Sequence, residues 1–115
     1  TDLAFGQEKL EKLFAETTPE QRARYQTEQM AEQLELREEQ RQRVLTINLK
    51  YTREMEHVFN EGGGKLQRLK RLKAVGQQKD AELKKVLDAE QFAKYERMKE
   101  ARRDTMKARA RESRP

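Results

Sequence analysis

Three times this chain writes the same short phrase: Thr18-Pro19-Glu20-Gln21, Leu36-Arg37-Glu38-Glu39-Gln40 and Leu87-Asp88-Ala89-Glu90-Gln91. Each places a Gln three residues after a position suited to starting a helix. At such a start a Thr or Asp side chain accepts a hydrogen bond from the third helical amide, and the Gln at that position reaches back to the capping residue's own N–H. Repeated in this way, the phrase divides the chain into helices. The Leu87 copy fits best, with Asp88 as the cap, Gln91 at the third position and Leu87 placed to pack on Phe92. In the Thr18 copy, Pro19 supplies a preset φ and lacks only an amide that would be orphaned anyway. The middle copy carries Arg37 where a capping Thr would stand, which leaves open either a break or a bent helix running through.

Between these starts apolar residues recur at helical spacing, and strand-like alternation of β-branched residues is absent. The chain therefore reads as all-α, an elongated helical hairpin or small bundle of four to five helices. A short first helix carries Leu3, Leu10, Leu13 and Phe14. From Pro19 to about Leu34 the stripe is Ala23, Thr27, Met30, Ala31 and Leu34. The longest helix follows, with Val44, Ile47, Tyr51, Met55 and Val58 on one face, widened by Leu45, Leu49 and Phe59. It stops at Asn60-Glu61-Gly62-Gly63-Gly64, where a glycine can take the left-handed conformation that ends helices. A tight reversal there makes the flanking helices antiparallel, with Leu66, Leu69, Leu72 and Leu83 facing the preceding stripe. Gly76, which costs about 1 kcal/mol relative to Ala in a helix, marks a bend. The last helix begins at Asp88 and buries Phe92, Tyr95 and Met98. Residues 1–100 thus read as one helical domain and 101–115 as a basic, frayed and solvated tail.

Composition sets the thickness of the core. With 34% hydrophobic against 41% charged residues in a chain of 115, the core must be thin, and helices need tertiary packing to be stable in water. Completion of that core against a second copy is expected. The chain has no Cys, which excludes disulfides and thiolate metal sites. No apolar run approaches the ~20 residues of a membrane span, and no apolar segment of an export signal lies near Thr1. The net charge of +5 is unevenly laid out: residues 1–40 hold ten acidic and five basic side chains, whereas Gly62 to Lys79 holds six bases and no acid. The change of sign predicts an acidic arm lying against a basic one, within or between chains.

Few residues invite chemistry. Gly62-Gly63-Gly64-Lys65 is not a phosphate loop, because a helix precedes it and Leu66 stands where Ser or Thr would be required. One His, no Cys and no seryl motif in a strand–turn–helix context argue against an enzyme and against a cofactor. His57, with Glu61 one helical turn on, is the one seed for a metal site, and two ligands fall short of the three or four that stable transition-metal sites gather. The basic stretch Lys65, Arg68, Lys70, Arg71 and Lys73 could track phosphates, but no aromatic residue lies between Gly62 and Lys79 to stack on bases, so nucleic acid is disfavoured. The same stretch reads first as a solvated or acid-paired face, and beyond that suits an acidic or unfolded polypeptide.

The repeated phrase resembles the Leu-Thr-x-x-Gln signature of the Spy/CpxP family of exported stress proteins, with Thr17 in place of Leu in the first copy and Arg37 and Asp88 in place of Thr in the other two. The likeness extends over Thr18 to Tyr51 and Asp80 to Lys99. It implies an α-helical fold, a thin, cradle-shaped antiparallel dimer and a periplasmic location. It further implies an ATP-independent chaperone that holds unfolded polypeptides under envelope stress; the acid-free basic stretch, and not the resemblance, nominates Lys65, Arg68, Lys70, Arg71 and Lys73 as the residues that meet the client. The alternative within the same resemblance is a CpxP-like regulator or a metal-responsive accessory of an envelope-stress sensor. Thr18, Gln21, Leu36, Gln40, Leu87, Asp88 and Gln91, which carry the likeness, read as structural.

Overall fold

The computed structural model describes residues 16–112, in four helices: α1 (Pro19–Leu34), α2 (Glu38–Asn60), α3 (Lys65–Val86) and α4 (Ala89–Glu112). The short helix expected around Leu3 to Phe14 lies outside the described residues. Helix α1 starts with the full reciprocal cap: Gln21 N–H donates to Thr18 Oγ1 at 3.1 Å, and Thr18 N–H donates to Gln21 Oε1 at 2.9 Å. Its buried positions, Ala23, Thr27, Met30 and Leu34, follow one helical face.

At the middle phrase the chain breaks. Glu35 takes a left-handed conformation (φ 53°, ψ 55°), its N–H donating to Ala31 O, and Leu36 N–H reaches the same carbonyl at 3.1 Å. Arg37 then caps α2 with an extended backbone (φ −68°, ψ 157°). A guanidinium has no acceptor, so only half the cap survives: Arg37 N–H donates to Gln40 Oε1 at 3.0 Å. The resulting α1–α2 hairpin is antiparallel. It is tied by Asn48 Nδ2 to Thr27 Oγ1 at 3.0 Å and by the ion pairs Arg41–Glu28, Arg53–Glu20 (2.7 Å) and Arg22–Glu56 (3.3 Å).

Helix α2 turns its expected stripe inward: Val44, Tyr51 and Val58 are buried, and Ile47 and Met55 half-buried. Phe59, expected on that face, is 49% exposed. The reversal occurs where the glycines stand, with positive φ at Gly62 (75°) and Gly63 (102°). Helix α3 returns antiparallel to α2, Lys50 meeting Glu82 and Arg71 meeting Glu61, and it passes through Gly76 unbroken.

One expected contact fails. Val75 and Leu83 are buried and Leu72 half-buried, but Leu66 is 67% and Leu69 54% exposed. At 3.6 residues per turn, each three-residue step from Leu66 to Leu69 to Leu72 to Val75 falls short of a full turn by about 60°. Leu66 consequently stands about half a turn away from Val75. The face that α3 buries runs instead through Leu72, Val75, Lys79, Leu83 and Val86.

The core has two parts. Met30, Leu34, Val44, Leu83, Leu87 and Tyr95 form one; Tyr51, Val58 and Val75 form the other; Ile47 packs against both. Helix α4 joins the first with Phe92, Tyr95 and Met98. It starts with the predicted cap, Gln91 N–H donating to Asp88 Oδ1 at 2.8 Å and Asp88 N–H to Gln91 Oε1 at 3.0 Å. Every residue from 101 to 112 is exposed, yet the backbone stays helical to Glu112, where a frayed tail was expected. The principal extents are 45 × 29 × 25 Å, and no described helix is long and apolar enough to cross a membrane.

Candidate functional site

The signature residues come together in a way their spacing did not foretell. The side-chain amides of Gln40 and Gln91, at the starts of α2 and α4, face each other and exchange hydrogen bonds: Gln40 Nε2 donates to Gln91 Oε1 at 2.8 Å, and Gln91 Nε2 to Gln40 Oε1 at 3.2 Å. Each also donates to the end of the helix preceding its partner. Gln40 reaches Val86 O at 3.2 Å and Gln91 reaches Leu34 O at 3.3 Å. With the N–H groups of Arg37 and Asp88 that they accept, both amides have filled their four hydrogen-bonding positions. Leu36 and Leu87 flank the pair and pack on the first core cluster. The third copy stands apart: Gln21 is exposed and serves only as a cap. This junction is closed to ligands because its polar atoms are already matched.

The basic stretch forms the exposed start of α3. Lys65, Lys70, Arg71 and Lys73 are exposed and Arg68 half-buried, its Nε enclosed without a hydrogen-bond partner. Within the chain, the described part of the acidic arm does not pair with this stretch. The carboxylates Glu20 and Glu28 of α1 pair with Arg53 and Arg41 of α2, and Glu56 of α2 with Arg22. Of the five candidate cations, Arg71 alone is ion-paired among the described residues, to Glu61 at 3.0 Å. Leu66 and Leu69 project from the same turns.

His57 and Glu61 do meet, Nε2 lying 2.8 Å from Oε1. The carboxylate's other oxygen is held by Arg71. Among the described residues no third His, Cys, Asp or Glu joins them as a potential ligand.

A second feature was not anticipated. Where the four helices meet, a cleft of about 360 Å³ opens. Its floor is Met30 of α1, Met55 of α2, and Tyr95 and Met98 of α4. Its walls carry Lys73 and Lys79 of α3 and Lys99, Arg102 and Arg103 of α4, with one carboxylate, Asp80. Asp80 is already engaged: Tyr95 Oη donates to its Oδ1 at 2.7 Å, and Lys99 holds Oδ2. Burial, followed by the hydrogen bond and charge of Asp80, pushes the Tyr95 hydroxyl well above its ordinary pKa.

Lys79 is the unusual cation. It occupies the buried face of α3, four residues from both Val75 and Leu83, and its ammonium donates to Gln26 Oε1 at 3.4 Å. Desolvation lowers its pKa to about 8, the charge of Arg102 adds to the fall, Asp80 opposes it, and Lys99 lowers it further. Among the described residues none of Lys73, Lys79, Arg102 and Arg103 is ion-paired. The pattern held a signal: a Lys at i+4 from Val75 and i−4 from Leu83 lies on an apolar stripe.

The described residues form an all-helical fold that carries, among its basic surfaces, a leucine-bearing helix start and a methionine-floored cleft. The chain belongs to the family described as a domain of unknown function (DUF4890), whose model matches residues 6–95. No curated protein and no solved structure matches the chain.

Proposed function

We propose that the protein is an ATP-independent, chaperone-like binder of unfolded or acidic polypeptides, acting through the exposed start of α3. One observation carries the reading: Leu66 and Leu69 are 67% and 54% exposed beside Lys65, Lys70 and Lys73, which no described carboxylate neutralises. Apolar groups within an uncompensated positive field suit a weak, general capture. Charge draws the client in, and short-range apolar contact holds it without a nucleotide cycle. The resemblance to Spy/CpxP-type chains points the same way, and with it come the periplasmic location and the antiparallel dimer.

The test is suppression of aggregation of an unfolding client in the absence of ATP. Leu66→Ser with Leu69→Ser should weaken suppression while leaving the melting temperature unchanged, because both side chains are exposed. Lys65→Gln with Lys70→Gln should slow capture and flatten its salt dependence, since exposed charges are screened over about 8 Å at physiological ionic strength. Full suppression by both variants would remove this surface from the function.

A further inference from the structure

We propose that the four-helix cleft is a binding site for a small amphipathic anion, a molecule with a carboxylate or phosphate head on an apolar body. The head would be met by Lys79 and Arg102, with Lys73 and Arg103 beside them, and the body would lie on Met30, Met55 and Met98. Four observations converge on this ligand class.

The first is volume. At about 360 Å³ the cleft falls at the low end of small-molecule pockets, which span about 300–1,000 Å³. The second is the chemistry of its floor, for thioethers are apolar and conformationally adaptable, and three of the chain's four methionines meet here. The third is charge: five cations line a space with a single carboxylate, and that carboxylate is held by Tyr95 and Lys99. The fourth is Lys79 itself. Its ammonium loses hydration on burial, and the fold returns a 3.4 Å contact with a neutral amide and the nearby charge of Asp80, which Tyr95 and Lys99 already hold. An anionic head in the cleft would supply the missing partner.

The occupant follows from the same facts. A bare inorganic anion would leave the methionine floor unused. A neutral apolar molecule would leave the cations unpaired. The site is separate from the leucine end of α3 and shares only Lys73 with it, so the inference stands whether or not polypeptide capture occurs there.

Methionine methyl NMR on the full chain tests it, because the fourth methionine, Met106, is 60% exposed on the outer part of α4 and takes no part in the cleft. With the methyl groups ¹³C-labelled, octanoate or octyl phosphate should shift the Met30, Met55 and Met98 signals along one saturable curve and leave Met106 in place. Octyl glucoside, with the same body and no charge, and inorganic phosphate, with charge and no body, should each bind at least about tenfold more weakly, the size of one lost charge-assisted contact. Lys79→Met and, separately, Arg102→Gln should weaken octanoate by a similar factor. Arg102 is exposed, so its variant reports on binding even if the change at Lys79 disturbs packing. Equal movement of Met106, a neutral amphiphile binding as well as octanoate, phosphate alone binding as well, or wild-type affinity in both variants would each overturn the assignment.

Discussion

The exchange of hydrogen bonds between Gln40 and Gln91 is open to a double-mutant cycle. Each amide makes four hydrogen bonds, so Gln40→Ala or Gln91→Ala removes four. At a net ~0.5–1.5 kcal/mol per bond, each single change should cost about 2–4 kcal/mol, water recovering some of the groups left around the half-buried Gln91 and fewer around the buried Gln40. Two of the bonds are shared, and the double variant therefore loses six rather than eight. It should be less destabilised than the sum of the singles by about 1–3 kcal/mol, within the range of directly contacting pairs. Equilibrium urea unfolding followed by far-ultraviolet circular dichroism gives all three values, provided the slope with denaturant is constant across the set. Additivity within about 0.5 kcal/mol would refute the exchange and reduce the two residues to independent caps.

Two further outcomes follow from α3. Gly76→Ala should raise stability by about 0.5–1 kcal/mol in the same unfolding assay, because the helix runs unbroken through this position and an added Cβ would meet no atom within 4 Å; a loss would refute the open, regular helical placement of this residue. Lys79 binds its proton less tightly when folded, near pH 8, than at its ordinary 10.5, so below about pH 8 it opposes folding, and the penalty fades as pH rises toward 10.5. The groups setting it are Asp80 on its own helix and Lys99 and Arg102 of α4, with Gln26 of α1 neutral. Lys79→Met should accordingly be more stable than the parent at pH 7, by a margin that shrinks between pH 8 and 10.5; a margin constant with pH would place the lysine in solvent.

Local chemistry was legible from the sequence wherever neighbours along the chain decide it. Thr18 with Gln21, and Asp88 with Gln91, cap as their spacing requires, and the reversal falls on Gly62 and Gly63 because a positive φ there needs glycine. The break at Arg37 was ambiguous because Arg offers no capping acceptor; the preceding helix is ended instead by Glu35 turning left-handed, a conformation that its residue type does not announce. The outer part of α4 stays helical without an apolar stripe because Ala, Arg, Lys, Met and Glu favour the helix on their own. What could not be read was anything set by the meeting of distant segments. The facing of Gln40 and Gln91 requires two hairpins to be docked, and the cleft requires all four helices.

Helix α3 explains why both surface features arise on one element. Its leucines are spaced by three, its geometry turns by 3.6, and the two periods cannot stay in phase over more than about two steps. Toward the start of the helix the mismatch carries Leu66 and Leu69 out of the core, into a stretch whose cations find only Glu61 among the described carboxylates. Further along, the face that does reach the core includes position 79, and there the sequence supplies Lys rather than a leucine. A regular stripe with an apolar residue at 79 would have buried more surface and left neither an exposed leucine pair nor a desolvated ammonium. Places where local pattern and global packing disagree are where a fold bears a cost that stability alone does not require. In this chain those places carry cations without an ion-pair partner among the described residues, and each sets that charge beside apolar side chains: leucines on the open surface, methionines within the cleft. Their difference lies in enclosure. An open leucine face can meet an extended, variable chain, whereas a cleft of about 360 Å³ admits one small molecule and can discriminate by head group.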